Sequence, residues 1–145
     1  MKTFTIVSVN ISDRKGIVKK PVGRIFLRKR LGVEGDAHAG DWHRQVSLLA
    51  AEDIDIMNEK GAGVSFGDFA ENITTRGISL HELPIGTRLK IGDVLLEVTQ
   101  IGKECHKGCA VMKKVGECIM PKRGIFAKVL EEGEVTNEHI GYYDF

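Results

Sequence analysis

A mainly β, single-domain protein is predicted, built as a closed or nearly closed β-barrel with one or two short helices. Three observations predict it. Seven or eight short runs rich in β-branched and apolar residues recur along the 145 residues, with glycine-bearing turn signals between them. Only one stretch has convincing helical periodicity. The strands do not alternate regularly with helices, which disfavours a doubly wound α/β sheet, and closure into a barrel hides the strand edges.

The elements follow in order. Thr3–Ile11 (TFTIVSVNI) alternates and is β-branched, so it reads as a strand, with a turn over Ser12–Gly16. Pro21–Arg30 is a second extended segment with a basic end. Leu31–Gln45 (LGVEGDAHAGDWHRQ) packs three acids, two histidines and several glycines into a loop. Val46–Leu49 resumes as a short apolar strand. Ala51–Lys60 is the helix: Ile54, Met57 and Ile56 supply an apolar face, Glu52 and Asp53 suit the helix dipole in the first turn, and Gly61 ends it. After the Gly63–Asp68 loop, Ala70–Thr75 is a short strand and Arg76-Gly77 a turn. Leu83–Gly86 is a further turn. Thr87–Ile91 and Val94–Ile101 flank Gly92-Asp93 as a hairpin. Gly124–Leu130 is a strand, Glu131–Glu134 a turn centred on Gly133, and Glu138–Phe145 a last strand.

Composition narrows the function classes. The chain is 42% hydrophobic and 28% charged, with a formal net charge of +1. That balance gives no electrostatic case for a nucleic-acid or acidic-membrane partner. No apolar run is long enough for a membrane-spanning helix, and the first residues lack the apolar core and cleavage site of a signal peptide. A cytoplasmic location is therefore expected. There thiols stay reduced, and three cysteines are an odd count for a disulfide framework. Length and the lack of linkers or repeats point to one domain over residues 1–145.

Three stretches could carry chemistry. Gly102–Cys118 holds all three cysteines, Cys105, Cys109 and Cys118, with Lys103, His106 and Lys107 around the first two. Nearby cations favour the thiolate, which is the nucleophilic and metal-ligating form. Against this stands a buried cysteine acting as a small hydrophobe. A zinc site is weakly indicated, because the C-x3-C-x8-C spacing lacks paired ligands. Cys105 and Cys109 share a face if Lys107–Val115 is helical, which would suit a transient redox pair.

The second stretch is the loop Gly32–Arg44. Gly35 and Gly40 allow close backbone approach to a ligand, and Asp36, His38, Asp41, His43 and Arg44 supply acid–base and anion-binding groups. The plain alternative is a polar surface loop. The third is Glu71–Gly77, where alternation places Asn72 and Thr74 on one face, able to line a pocket. Its plain alternative is an edge strand whose threonines favour β structure.

Taken together in order, GVEGDAHAGDWHRQVSLLA, FGDFAENITTRGI, LPIGTRLKIGDVLLEVTQIGKEC and GIFAKVL resemble the MOSC family, the C-terminal domain of molybdenum cofactor sulfurases. The resemblance covers nearly the whole chain and looks like that of a short, stand-alone bacterial-type member. It implies a barrel of the MOSC type. It also implies a functional cysteine just past the LLEVTQIG strand, which falls on Cys105. In cofactor-binding relatives that cysteine ligates molybdenum, and polar and basic residues hold the pterin phosphate. By motif, Arg44 and Lys103 would hold the phosphate here, and Asp36, His38, Asn72 and Thr74 would line the cofactor cleft.

Members are also proposed to carry sulfur as a cysteine persulfide, and some relatives reduce N-hydroxylated compounds. A reductase would need an electron-donor protein, and a sulfur carrier would need a cysteine desulfurase. A non-catalytic pterin-binding accessory role is a third alternative. Cys109, four residues past Cys105, departs from a simple molybdenum ligand and would suit a resolving thiol. The desulfurase domain of the sulfurases is not in this sequence, so no pyridoxal phosphate is expected.

Overall fold

The computed structural model describes residues 1–15, 17–102 and 123–144. Its strands are β1 (Lys2–Ile11), β2 (Lys20–Val22), β3 (Arg24–Arg28), β4 (Gly32–Val33), β5 (Val46–Ala50), β6 (Ile73–Arg76), β7 (Arg88–Ile91), β8 (Val94–Ile101), β9 (Ile125–Glu131), β10 (Gly133–Thr136) and β11 (Ile140–Tyr143). The helix α1 spans Ala51–Glu59, and a 3-10 turn spans Leu80–Glu82.

Seven strands close a barrel in the order β1-β11-β7-β8-β9-β5-β6, with β6 returning to β1. Closure depends on the ten-residue β1. Its first half pairs with β11 and its second half with β6, through a bulge between Ile6 and Ser8; β2 then adds at its end. A small sheet, β10-β3-β4, lies beside the barrel. The barrel pairs are antiparallel except β5–β6, which is parallel because α1 crosses between them.

The hairpin at Gly92-Asp93 pairs Ile91 with Val94, leaving a two-residue loop. Gly92 takes the positive φ of 58° that such a loop needs at its first position.

All five residues of β5 are buried, because the strand is covered on both faces. Val46 and Leu48 join the barrel core with Ile73, Leu89, Ile91, Leu96, Val98 and Ile125. Leu49 points the other way, into a second cluster with Ile54, Met57, Val64, Phe69 and Phe126 beneath α1.

Several sequence expectations are corrected. Ile56 is 46% exposed, so the buried apolar face of α1 is Ala51, Ile54 and Met57, at i, i+3 and i+6. The Pro21–Arg30 segment divides at Gly23 into two strands of different sheets. Gly133 opens a strand, β10, and does not centre a turn. The strand expected over Ala70–Thr75 starts at Ile73, because Ala70 adopts a left-handed φ of 66°. Among the described residues no helix is long and apolar enough to cross a membrane.

Candidate functional site

The glycine-rich loop after β4 is organised by a lysine from outside it. Lys19 Nζ lies 2.8 and 3.0 Å from the two carboxylate oxygens of Asp36 and 3.0 Å from His38 Nδ1. Both charged side chains are fully buried. Burial alone would raise the Asp36 carboxyl, but the neighbouring His38 and the Lys19 ammonium overcome it and hold Asp36 well below the usual carboxylate range. Asp36 also accepts the backbone N–H groups of Ser12 and His38. The motif residues Asp36 and His38 are thus brought together, with Asp36 inside and His38 at the rim, its side chain 29% exposed.

The loop continues along the rim. Trp42 Nε1–H donates to the His38 carbonyl at 3.0 Å. Arg44 stacks its guanidinium on Trp42, 4.6 Å from the ring centroid, and on Phe126 at 5.6 Å. Its Nε is buried and has no hydrogen-bond partner among the described residues. His43 Nε2 lies 2.7 Å from Gln100 Oε1, and the Thr99 hydroxyl donates to the His43 carbonyl. The loop is therefore pinned to the end of β8. Gly102 follows that strand and closes its own base by donating to the Gly124 carbonyl at 2.7 Å. Lys103 and Cys105 come next in the sequence; they lie outside the described residues, as do Cys109 and Cys118. Among the described residues no group of three His, Cys, Asp or Glu side chains could hold a metal ion.

Asn72 and Thr74 are both held against Asn10. Both are buried, as are Ile73 and Thr75. Asn72 Oδ1 accepts from the Ser47 backbone and hydroxyl, and its amide donates to the Asn10 carbonyl. The Thr74 hydroxyl donates to Glu71 Oε2 at 2.8 Å and accepts from Asn10 Nδ2.

Glu71 is 0% exposed. Its Oε2 also accepts the Gly67 N–H, while its Oε1 has no partner among the described residues. Burial pushes its carboxyl up to about 7, with the Gly67 and Thr74 hydrogen bonds acting the other way.

Lys19, Trp42 and Glu71 were missed by sequence reasoning. Trp42 had a signal, as the chain's single tryptophan set inside the polar loop. Lys19, one of two adjacent lysines before a proline, reads as surface charge. A cleft at the start of α1, about 350 Å³ and lined by Glu52, Asp53 and His81 among others, includes none of the loop residues.

A family model, the MOSC domain, matches residues 35–139. The chain belongs to the MOSC domain family. This MOSC chain is 28% identical over 134 residues to the YflK protein of Bacillus subtilis, across 83% of the chain and 59% of YflK, so it spans less than two thirds of that relative. Its fold matches the crystal structure of the YuaD protein of Bacillus subtilis with a TM-score of 0.80 and 18% identity, over 99% of the chain and 97% of YuaD. It also matches YiiM from Geobacillus stearothermophilus, with a TM-score of 0.75 and 21% identity over 98% of the chain and 75% of YiiM. YiiM from Escherichia coli gives 0.72 and 20%, over 100% of the chain and 71% of YiiM. At these identities the structural matches speak to the barrel, which agrees with the seven-stranded closure above.

Proposed function

We propose that this MOSC protein binds the molybdenum cofactor at the Asp36–Arg44 rim, with Cys105 as the thiolate that ligates the metal. The observation that carries the reading is Arg44. A buried guanidinium nitrogen without an acceptor costs roughly 1–3 kcal/mol. Nε forms one edge of the guanidinium fork, and a phosphate oxygen is the acceptor that such an edge suits. Trp42 and Phe126 hold the fork in plane, so little side-chain freedom is lost on binding. The residues present fit an anionic, pterin-bearing group: Arg44 and Lys103 would hold its phosphate, and Cys105 would offer a soft ligand to molybdenum. Asp36 is already engaged by Lys19, Asn72 by Ser47 and Asn10, and Thr74 by Glu71 and Asn10, so these side chains have their partners within the protein. When bound, the cofactor would supply redox chemistry at its metal, and reduction of N-hydroxylated compounds is the activity such a centre suits.

The test is to express the chain in cofactor-producing cells and to measure molybdenum by elemental analysis and pterin by fluorescence after release. Near-stoichiometric amounts of both are expected. Arg44→Ala should lower retained pterin about tenfold or more. Cys105→Ser should lose molybdenum and keep the pterin. A purified chain with neither component overturns the reading. A mass gain of about one sulfur atom on Cys105, after incubation with a cysteine desulfurase and cysteine, would install the persulfide-carrier reading in its place.

A further inference from the structure

We infer that Lys19 is a positioning residue that fixes His38 as its Nε2–H tautomer, so that this rim offers a hydrogen-bond donor and takes an acceptor atom of whatever ligand faces it. A lysine ammonium has three donors and no acceptor. At 3.0 Å from Lys19 Nζ, His38 Nδ1 can therefore only accept. In the neutral ring the proton then sits on Nε2. Turning the ring over would set a C–H against the ammonium and forfeit the bond, so the hydrogen-bond network selects the orientation seen here.

Asp36 keeps this arrangement in place. Its carboxylate takes the other two ammonium contacts, at 2.8 and 3.0 Å, in a pocket closed to water on both sides of the pair. The same carboxylate accepts the His38 backbone N–H at 3.2 Å, which sets where the ring begins. Trp42 ties the other end of the residue through the His38 carbonyl. The Nδ1 edge is thus turned to the buried lysine; the side chain is 29% exposed, and Nε2 at the opposite edge has no partner among the described residues.

The role of Lys19 is separable from that of a simple ion pair. His38 Nδ1 lies 3.8 Å from Asp36 Oδ2, beyond hydrogen-bond reach while Lys19 stands between them. Without Lys19 that carboxylate is the nearest acceptor, and it would draw the proton to Nδ1. The far edge would then become an acceptor and the polarity of the rim would reverse. This inference goes beyond the cofactor reading and does not depend on it, since the tautomer is a property of the free chain.

The test is a two-bond proton–nitrogen correlation spectrum of the uniformly nitrogen-15-labelled chain, recorded above the ordinary histidine titration, at about pH 8.5. His38 is assigned by the cross-peaks lost in His38→Asn. The wild type should show a protonated Nε2 and a bare Nδ1; the reverse pattern overturns the inference. Lys19→Met should invert the pattern, and an Nε2–H ring surviving in that variant removes Lys19 from the role. If Lys19→Met does not fold, the double variant Lys19→Met/Asp36→Asn removes both buried charges. It should show a mixture of the two tautomers, and a single unchanged Nε2–H form in it overturns the assignment to Lys19.

Discussion

Gly67 shows how one residue holds the site together. Its carbonyl accepts the Lys19 N–H at 2.8 Å, and its own N–H donates to Glu71 Oε2 at 2.9 Å. The backbone there has a φ of 90°, and a Cβ would come within 2.3 Å of the Lys19 carbonyl oxygen. Strain and a backbone clash combine, so neither can be relieved by a side-chain rotation. Gly67→Ala should therefore lower the unfolding free energy by about 2–3 kcal/mol, read as a drop in urea midpoint at unchanged slope. It should also disturb the Lys19–Asp36–His38 contacts, visible as shifted His38 resonances. An alanine variant with wild-type stability would show that the chain tolerates a shifted Lys19 backbone. In the sequence this glycine looks like any loop glycine, and Lys19 looks like any surface lysine. Both owe their roles to partners distant in sequence, Lys19 to Asp36 and Gly67 to the Lys19 backbone, which no local pattern pairs with them.

At the scale of elements the sequence was more readable, because strand alternation and turn chemistry are local. The β7–β8 hairpin, β1, β5, β9 and α1 all follow from period and punctuation. The parallel β5–β6 pairing and the side sheet β10-β3-β4 do not, since both depend on which distant strand is met. The barrel seam is of that second kind. β1 pairs Phe4 with Gly141 of β11, and the Phe4 ring fills the space that a Cβ on Gly141 would need, with its nearest atom 2.1 Å away. Phe4 is buried and packs edge-on against Tyr143 at 5.9 Å, so it has nowhere to move. Gly141→Ala is expected to cost about 1–3 kcal/mol by overpacking the seam. Hydrogen exchange should then rise first at β1 and β11, where the barrel closes, and less in the β8–β9 pair. Uniform loss of protection across all strands would mean that the seam is not a separable unit.

For the whole molecule two of the buried carboxyls, Asp36 and Glu71, set opposite limits on stability as pH changes. Asp36 has its folded pKa depressed, so its contribution is present above the unfolded value near 4 and is lost as pH falls through the folded value. Glu71 has its folded pKa raised from 4.5 to about 7. The folded state then holds a proton that the unfolded state has already released, and stability falls as pH rises across that window, levelling off above about 7. The difference corresponds to an upper bound of about 3 kcal/mol across the window. The two slopes meet near pH 4–5, so chemical denaturation should place maximum stability there and show a decline toward neutrality. Glu71→Gln separates the effects. The amide keeps an oxygen for the Gly67 N–H and the Thr74 hydroxyl and cannot ionise, so the decline from about pH 5 to 7 should flatten while the acid limb set by Asp36 stays. A decline of unchanged steepness in Glu71→Gln would assign the titration to another group and leave Glu71 ionised in its pocket. Because Glu71 holds Gly67, and Gly67 holds Lys19, the same variant should leave the His38 tautomer in place, joining the stability of the barrel to the chemistry of its rim through one hydrogen-bonded chain.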